Sequence, residues 1–402
     1  MKWQNRGHEF DELGAWFQSH REIYIYTWEG EYVQAIADRL SFLGEKISFI
    51  DPVPEASSPR WRARRWLDVR RGRFGKNTVL LSDVLRRSRG KLVLIPTGYA
   101  GPENILSRLE KNGFILNKTV FWSEDFLRKY LPIYALYVKN KVYMQDISFI
   151  PSTKCNLNCA HCLNLTPYLK KMKDEPLEEL KRQVDLFFSK VDYIGLFHVS
   201  GGEPILYPHL RELLAYIGEH YRGQIRQLAT TTNGTQKFSD EICGTLREYG
   251  VQLICDDYTD TLPEYRERFQ ELMGDLQRNG VTYIVNKADR WIDLAPDSTD
   301  HSQMSEEQLI EFWNACDVPC REYYGGRLYA CNFAHYAEKA GLCVCDETEY
   351  IDFATMTRDQ YRELIEFRAG YTEKGYVEFC KRCAGFGNNP YSRTPAIQTP
   401  RR

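Results

Sequence analysis

Short apolar runs alternate with amphipathic stretches in the first third of the chain, which is the pattern of a parallel sheet covered by helices. Residues 22–52 predict a β-strand, a helix and a second strand, joined by a right-handed crossover. The predicted strands here are 22–30, 46–52, 77–84 and 91–98, and the predicted helices are 31–44 and about 102–112. We therefore predict that residues 1–140 form a separate Rossmann-like α/β domain.

The same alternation resumes at residue 146 and continues to residue 286. After a first strand at 146–151, the predicted strands are 193–200, 225–232, 251–256 and 281–286, with helices at about 175–190, 208–220, 239–248 and 261–277. This spacing predicts a parallel sheet that curls into a partial (β/α)6, TIM-like barrel, which we assign to residues 141–310. Ligands of such sheets bind at the carboxyl ends of the strands.

The first predicted domain carries two features that bear on ligand binding. Its first strand–helix turn, residues 27–32, holds Trp28 and two glutamates where a nucleotide-binding turn needs glycines. Packing or partner docking is therefore the favoured role of this domain. The stretch 60–73 holds seven arginines and two tryptophans, which could grip phosphates, but a solvated surface is favoured.

Composition narrows the class of protein. The chain has 402 residues, 43% of them hydrophobic, and a net charge of −2. Two or three soluble domains are expected, with no basic excess to indicate nucleic acid as a partner. No apolar run reaches the 18 residues of a membrane helix, and the first residues have no signal-peptide core, which predicts a cytoplasmic location. The twelve cysteines are then expected as thiols or metal ligands.

The run Cys155, Cys159 and Cys162 follows the first strand of the second part. Three thiolates this close on one loop can converge on one soft metal centre, and a [4Fe–4S] cube held by three cysteines keeps one iron open. The alternative is a structural zinc site with His161 as a fourth ligand. His161 lies between two of the cysteines in the sequence. From that position it can hardly complete a tetrahedral set of four ligands around one zinc ion.

The cysteine run, together with HVSGGEPIL at 198–206, resembles the radical S-adenosylmethionine (SAM) superfamily. The resemblance covers roughly residues 146–300 as a core and 316–383 as an extension. It implies that the amino and carboxylate groups of SAM chelate the open iron. An electron from the cluster would then cleave SAM to methionine and a 5′-deoxyadenosyl radical, which abstracts hydrogen from a substrate. A flavodoxin- or ferredoxin-type electron donor is implied as a partner.

The resemblance also implies residues that bind SAM. The turn Gly201-Gly202-Glu203-Pro204 corresponds to the family's holder of the SAM amino group. Asn233 lies in the threonine–asparagine–glycine segment, and His161 precedes the last cluster cysteine, near the adenine. Cys255 and Asp257 follow the fourth strand, where the family often has a serine and an aspartate near the ribose, so that Cys255 is a departure.

Seven cysteines follow residue 315, and their spacing resembles the SPASM/twitch extensions of the same superfamily. Residues 311–402 are therefore predicted to form a small extension with one auxiliary [4Fe–4S] cluster. A zinc ion on the same thiolates is the alternative. The predicted ligands are Cys331, Cys380, Cys383 and either Cys316 or Cys320. Cys343 and Cys345 have the wrong spacing for a second auxiliary cluster.

These features predict a radical SAM enzyme of oxidoreductase or isomerase type. Its expected substrate is a sugar, a cyclitol or a nucleotide-linked metabolite, which would be dehydrogenated or epimerised. The alternatives are a maturase of ribosomally made peptides and, outside enzymes, an iron–sulfur scaffold or redox sensor. Tyr258, Tyr323 and Lys287 are the candidates for proton transfer.

Overall fold

The computed structural model describes residues 1–26, 31–51, 59–70, 77–86, 89–96, 102–316, 321–387 and 389–401. The turn 27–30, which bears on nucleotide binding, and Cys320 lie outside these residues. The described chain divides into two compact units. One unit is His8–Tyr143, and the other combines Met1–Gly7 with Met144–Arg402. The domain boundaries inferred from the sequence remain predictions.

The unit His8–Tyr143 is built on a five-stranded parallel sheet of order β3-β2-β1-β4-β5. Its strands are β1 (Glu22–Tyr26), β2 (Ile47–Asp51), β3 (Thr78–Leu80), β4 (Lys91–Ile95) and β5 (Val120–Trp122). Its helices are α1 (Asp11–Ser19), α2 (Glu31–Leu40), α3 (Pro59–Arg70), α4 (Leu81–Leu85), α5 (Pro102–Lys111), α6 (Ser123–Asp125) and α7 (Leu131–Lys139). Ile50, Val93, Ile95 and Leu109 lie in the buried core on this sheet. The α/β class predicted here is confirmed.

The larger unit contains an eight-stranded sheet of order β10-β9-β8-β7-β6-β12-β13-β14. The strands that the sequence predicts for the barrel are β6 (Tyr143–Phe149), β7 (Tyr193–Val199), β8 (Ile225–Thr232), β9 (Val251–Asp256) and β10 (Tyr283–Asn286). The ladders from β7 to β10 are parallel. Helices α8 (Leu177–Lys190), α9 (Leu210–Tyr221), α10 (Asp240–Glu248) and α11 (Arg266–Arg278) alternate with these strands. The arrangement is consistent with the predicted partial barrel.

The remaining strands extend this sheet beyond β6. They are β12 (Glu322–Tyr324), β13 (Arg327–Tyr329) and β14 (Tyr350–Asp352), while β11 (Trp291–Ile292) pairs separately with β15 (Ser392–Arg393). Helices α12 (Glu306–Ala315), α13 (Asn332–Lys339) and α14 (Tyr361–Arg368) belong to the same region. β12 runs parallel to β6, so that the carboxyl ends of both strands lie at the same edge of the sheet.

Residues Met1–Gly7 pack on this larger unit. The indole N–H of Trp3 and the backbone N–H of Gly7 both donate to the buried Glu366 carboxylate, at 2.8 and 2.7 Å. Among the helices that the structure describes, none combines the length and the apolar composition needed to span a bilayer.

Candidate functional site

Cys155, Cys159 and Cys162 lie on the loop that follows β6. Their thiols are close enough to interact electrostatically, and Cys159 is buried. Burial raises the pKa of the Cys155 and Cys159 thiols to about 12. A nearby positive centre is therefore needed for both to act as thiolates, and a bound metal supplies such a charge.

The spacing of these thiols suits a cluster better than a single zinc ion. A tetrahedral zinc with bonds of about 2.3 Å holds its thiolates about 3.8 Å apart. The three sulfurs of the loop do not all lie within 4.8 Å of one another. His161, the fourth ligand in the zinc alternative, instead pairs its Nδ1 with Asp293 at 3.0 Å. The donor set thus fits an iron–sulfur cube held at three corners.

The glycine turn after β7 lies directly against the residues that lead into the cysteine loop. The backbone N–H of Gly202 donates to the Ser152 carbonyl at 3.1 Å, and that of Glu203 donates to the Lys154 carbonyl at 2.7 Å. A Cβ added to Gly201 would lie 2.3 Å from the Ser152 oxygen, and one added to Gly202 would lie 2.2 Å from the Lys154 oxygen. Only glycine permits this approach.

Glu203 is buried at the end of this turn, with 1% of its surface exposed. Its carboxylate accepts hydrogen bonds from the backbone N–H groups of Asn233 at 2.7 Å and Ile205 at 3.4 Å. Burial raises the pKa of Glu203 to about 7, against the lowering effect of these bonds. Pro204 begins the 3-10 turn that follows. Glu203 can therefore accept a hydrogen bond from a ligand ammonium group.

Asn233, in the segment after β8, contacts the cysteine loop. Its side-chain amide donates to the Asn156 side chain at 3.0 Å and lies 3.9 Å from the Cys155 sulfur. Asn156 in turn donates to the Thr235 hydroxyl at 2.7 Å. The ends of β6, β7 and β8 are thus joined by one set of polar contacts.

The end of β9 differs in detail from the sequence expectation. Cys255 is fully buried, and burial raises the pKa of its thiol to about 12. Asp257 accepts from the backbone N–H of Thr259 at 2.9 Å, which is an Asx turn. The neighbouring Asp256 accepts from the Tyr258 hydroxyl at 2.9 Å and from the Asn286 amide at 2.7 Å, and burial raises its pKa. Asp256 is a partly buried acid that carries no distinguishing signal in the sequence.

The three candidates for proton transfer lie in different surroundings. Tyr258 packs beside the cysteine loop with Leu157 and Cys159, and burial raises its pKa. Tyr323 is 0% exposed in the core, where its hydroxyl donates to the Gln183 carbonyl at 3.1 Å. Lys287 is half exposed and pairs with Asp260 at 2.8 Å. Their catalytic roles remain predictions.

A second group of thiols gathers Cys316, Cys331, Cys380 and Cys383. Cys331 and Cys380 each interact electrostatically with the other three members, and Cys383 also interacts with Cys316. Burial raises the pKa of all three buried thiols, that of Cys383 to about 12. Cys320, the alternative ligand, lies outside the described residues.

Cys343 and Cys345 form a separate pair. Their thiols hydrogen-bond to each other, and both sulfurs lie near the Ala334 carbonyl, at 3.8 and 3.5 Å. The electrostatic contacts of Cys331, Cys380 and Cys383 do not include this pair. The strongest electrostatic contacts thus define two sets of thiols, this pair and the four-thiol group.

Two other groups at the site, Asn164 and Gln398, could not be recognised from the sequence. The Asn164 amide donates to the Gly201 carbonyl at 2.5 Å and so fixes the glycine turn from the cysteine-loop side. The Gln398 amide donates to the Cys159 sulfur at 3.3 Å. Neither residue belongs to a recognisable spacing, and Gln398 lies 239 positions from its partner.

Residues 149–285 match the family model of the radical SAM superfamily. This part of the chain is a radical SAM domain. The match contains the three-cysteine loop, the glycine turn and the strand ends described above. The radical SAM superfamily uses a [4Fe–4S] cluster together with SAM, in agreement with the donor set of the loop.

Two kinds of curated protein are similar to the radical SAM domain over about 100 residues. GTP 3',8-cyclase of Ectopseudomonas mendocina (strain ymp) is 31% identical over 105 residues, which is 25% of this chain and 29% of that protein. The antilisterial bacteriocin subtilosin biosynthesis protein AlbA of Bacillus subtilis (strain 168) is 30% identical over 98 residues, 24% of this chain and 20% of AlbA. The chain thus spans less than a third of these relatives.

Solved structures also share local similarity with the chain. Streptococcus suis SuiB bound to S-adenosylmethionine has a TM-score of 0.30 and 16% identity, over 54% of this chain and 42% of SuiB. Native anSMEcpe with bound AdoMet has a TM-score of 0.32 and 15% identity, over 42% of this chain and 48% of that one. At these scores the similarity identifies neither substrate nor mechanism.

Proposed function

We propose that the protein is a radical SAM enzyme that removes hydrogen from an unreactive C–H bond of its substrate. The observation that carries the proposal is the backbone contact between the glycine turn and the cysteine loop. It brings a three-thiol donor set and a buried acceptor for an ammonium group to one edge of the sheet. When bound, the cluster and SAM supply a 5′-deoxyadenosyl radical.

In this proposal the chain's own residues bind the cluster and SAM, orient them and shield them from water. Cys155, Cys159 and Cys162 hold the cluster, and Glu203 accepts a hydrogen bond from the SAM ammonium. Asn233 keeps the turn and the loop in register through its contacts with Glu203 and Asn156. The buried surroundings of Cys159 and Glu203 limit access of water to the site.

We propose further that Cys316, Cys331, Cys380 and Cys383 hold an auxiliary [4Fe–4S] cluster. Their mutual electrostatic contacts and the burial of three of them support this ligand set. Burial disfavours the thiolate form of Cys331, Cys380 and Cys383, and a bound metal supplies the positive charge that would stabilise it. Such a cluster would accept the electron left on the substrate or position the substrate, which suits a dehydrogenation.

For the substrate, we propose a small metabolite of the sugar, cyclitol or nucleotide-linked class. The Rossmann-like order of the first unit supports this class, as does the name of one relative, a GTP cyclase. A peptide is the second candidate, because AlbA takes part in bacteriocin biosynthesis. A flavodoxin- or ferredoxin-type protein is the proposed electron donor.

The test is SAM cleavage by protein reconstituted anaerobically with iron and sulfide and then reduced. We expect 5′-deoxyadenosine from the wild type and from Cys243→Ala, a buried thiol of α10 away from both groups. We expect none from Cys159→Ala. Product formation from sugars and cyclitols, compared with peptides, then separates the two substrate classes.

A scaffold or redox sensor predicts a different outcome. Such a protein would bind iron and sulfide and would release no 5′-deoxyadenosine with any substrate. In addition, the addition of SAM would leave the spectrum of the reduced cluster unchanged, both in the wild type and in Gly202→Ala. That combination would overturn the proposed enzyme function.

A further inference from the structure

Residues 396–401, which we call the covering segment, run antiparallel to the cysteine loop. Cys159 and Gln398 form a β-bridge, and two backbone hydrogen bonds flank it. Ala160 N–H donates to the Ile397 carbonyl at 2.7 Å, and Thr399 N–H donates to the Asn158 carbonyl at 2.9 Å. The loop that carries the predicted cluster ligands is therefore paired with a second stretch of chain.

Further contacts hold the covering segment in place. Ala396 is 0% exposed and packs with Leu157, Cys159 and Leu262. The Arg401 guanidinium donates to the Cys155 carbonyl at 3.1 Å. The covering segment thus reaches from the apolar side of the loop to its first cysteine.

The side chain of Gln398 has only one orientation that satisfies its neighbours. Its oxygen accepts from the backbone N–H of Asn158 at 2.7 Å, which can only donate. The amide nitrogen must then face the other way, where it donates to the Ala396 carbonyl at 2.7 Å and to the Cys159 sulfur at 3.3 Å. Both amide hydrogens are used, and one of them is aimed at the sulfur.

We propose that Gln398 is a positioning residue that orients Cys159 as a cluster ligand and raises the reduction potential of the SAM-binding cluster. This inference rests on the proposed function. A hydrogen bond to a ligand sulfur stabilises the more negative, reduced cluster, so that the potential rises. By comparison, the contact of Asn233 with the Cys155 sulfur is longer, at 3.9 Å.

Two substitutions remove the N–H···S bond in different ways. Gln398→Leu removes the carboxamide, whereas Gln398→Glu keeps an acceptor for Asn158 and turns a negative oxygen toward the sulfur. Ile397→Val is the matched control, because Ile397 bonds the loop through its backbone carbonyl and its side chain is 44% exposed. Gln398 is itself exposed, so its replacement leaves the core intact.

The measurement is a redox titration, by electron paramagnetic resonance, of the cluster signal that changes when SAM is added. We expect a lower midpoint potential in Gln398→Leu, a still lower one in Gln398→Glu, and the wild-type value in Ile397→Val. We also expect iron to be lost to a chelator about tenfold faster from both Gln398 variants. The inference is also supported if Gln398→Glu loses the whole cluster while Ile397→Val retains it.

Unchanged potentials and unchanged iron loss in both Gln398 variants would overturn the inference and leave the proposed function standing. A wild-type protein with no cluster signal that responds to SAM would instead overturn the proposed function. The two failures are therefore distinguishable in one set of samples.

Discussion

The Glu203 carboxylate accepts a hydrogen bond from the backbone N–H of Asn233 across 2.7 Å, although the two residues lie 30 positions apart. The bond joins the turn after β7 to the turn after β8. Because Glu203 is buried, its charged form is destabilised, and its pKa is raised to about 7. The acceptor proposed for SAM is therefore an acid that titrates near neutral pH.

Glu203→Gln should change how stability depends on pH. The pKa of the Glu203 carboxyl rises from 4.5 in the unfolded chain to about 7 in the folded protein. Between pH 4.5 and pH 7 the folded protein therefore keeps a proton that the unfolded chain has lost. The stability from this proton is fully present below pH 4.5 and is lost as pH rises through 7. The free energy of unfolding of the wild type, relative to Glu203→Gln, should fall by about 2.5 kcal/mol from pH 5 to pH 8. Urea unfolding at both pH values measures it, and a constant difference would contradict the shift.

Gly202→Ala should destabilise the site by overpacking. The added Cβ would lie 2.2 Å from the Lys154 carbonyl oxygen, so that the turn and the loop must separate. We expect a loss of about 3 kcal/mol in the free energy of unfolding, measured by urea denaturation. Gly244→Ala in α10 is the control, because nothing lies within 4 Å of its added Cβ. The control should gain about 0.5 to 1 kcal/mol, since alanine is the better helix former.

Cys331→Ala should remove the auxiliary cluster. Cys331 is buried among the other thiols of the second group, and three remaining cysteines would hold the cluster weakly. We expect about four fewer iron atoms per chain by metal analysis. Cys343→Ala should leave the iron content unchanged, because its electrostatic partner is Cys345. A loss of one zinc atom from Cys331→Ala, with iron unchanged, would favour the zinc alternative.

Asp146→Asn should weaken the attachment of α14 to β6. Arg368 Nη2 donates to both carboxylate oxygens of Asp146 at 3.0 Å, and both side chains are largely buried. Removing one charge leaves the other without compensation, which we expect to lower the free energy of unfolding by about 3 kcal/mol. Arg327→Gln disrupts a more exposed pair with Asp352 at 3.7 Å. It should lower the free energy of unfolding by less than about 1 kcal/mol in the same denaturation experiment.

The parts of the site that are close in sequence could be predicted from the sequence. The cysteine loop follows a strand end, and its three thiols fall within eight residues. Alternation of apolar runs predicts the strands β6 to β10 within a few residues, because buried strands and amphipathic helices leave strong periodic signals. The matched radical SAM domain lies within this well-patterned stretch.

Contacts between residues far apart in the chain could not be predicted from the sequence. The pairing of Gln398 with Cys159 depends on one bridge, and a single bridge leaves no periodic pattern in the sequence. The packing of Trp3 and Gly7 on Glu366 likewise has no local signal. Asp256 could not be predicted because its hydrogen bonds with Tyr258 and Asn286, rather than its spacing, distinguish it from Asp257.

The contact between the glycine turn and the cysteine loop joins backbone atoms on both sides. Its register therefore depends on the path of the backbone and not on the side chain at position 154. Over evolution the exposed position 154 can exchange one residue type for another while the two ligand-holding elements keep their alignment, whereas the buried Ser152 hydroxyl also bonds the Lys154 N–H and Asp174. Residues 201 and 202 have no such freedom, and mutational drift at this site is confined to one of its two partners.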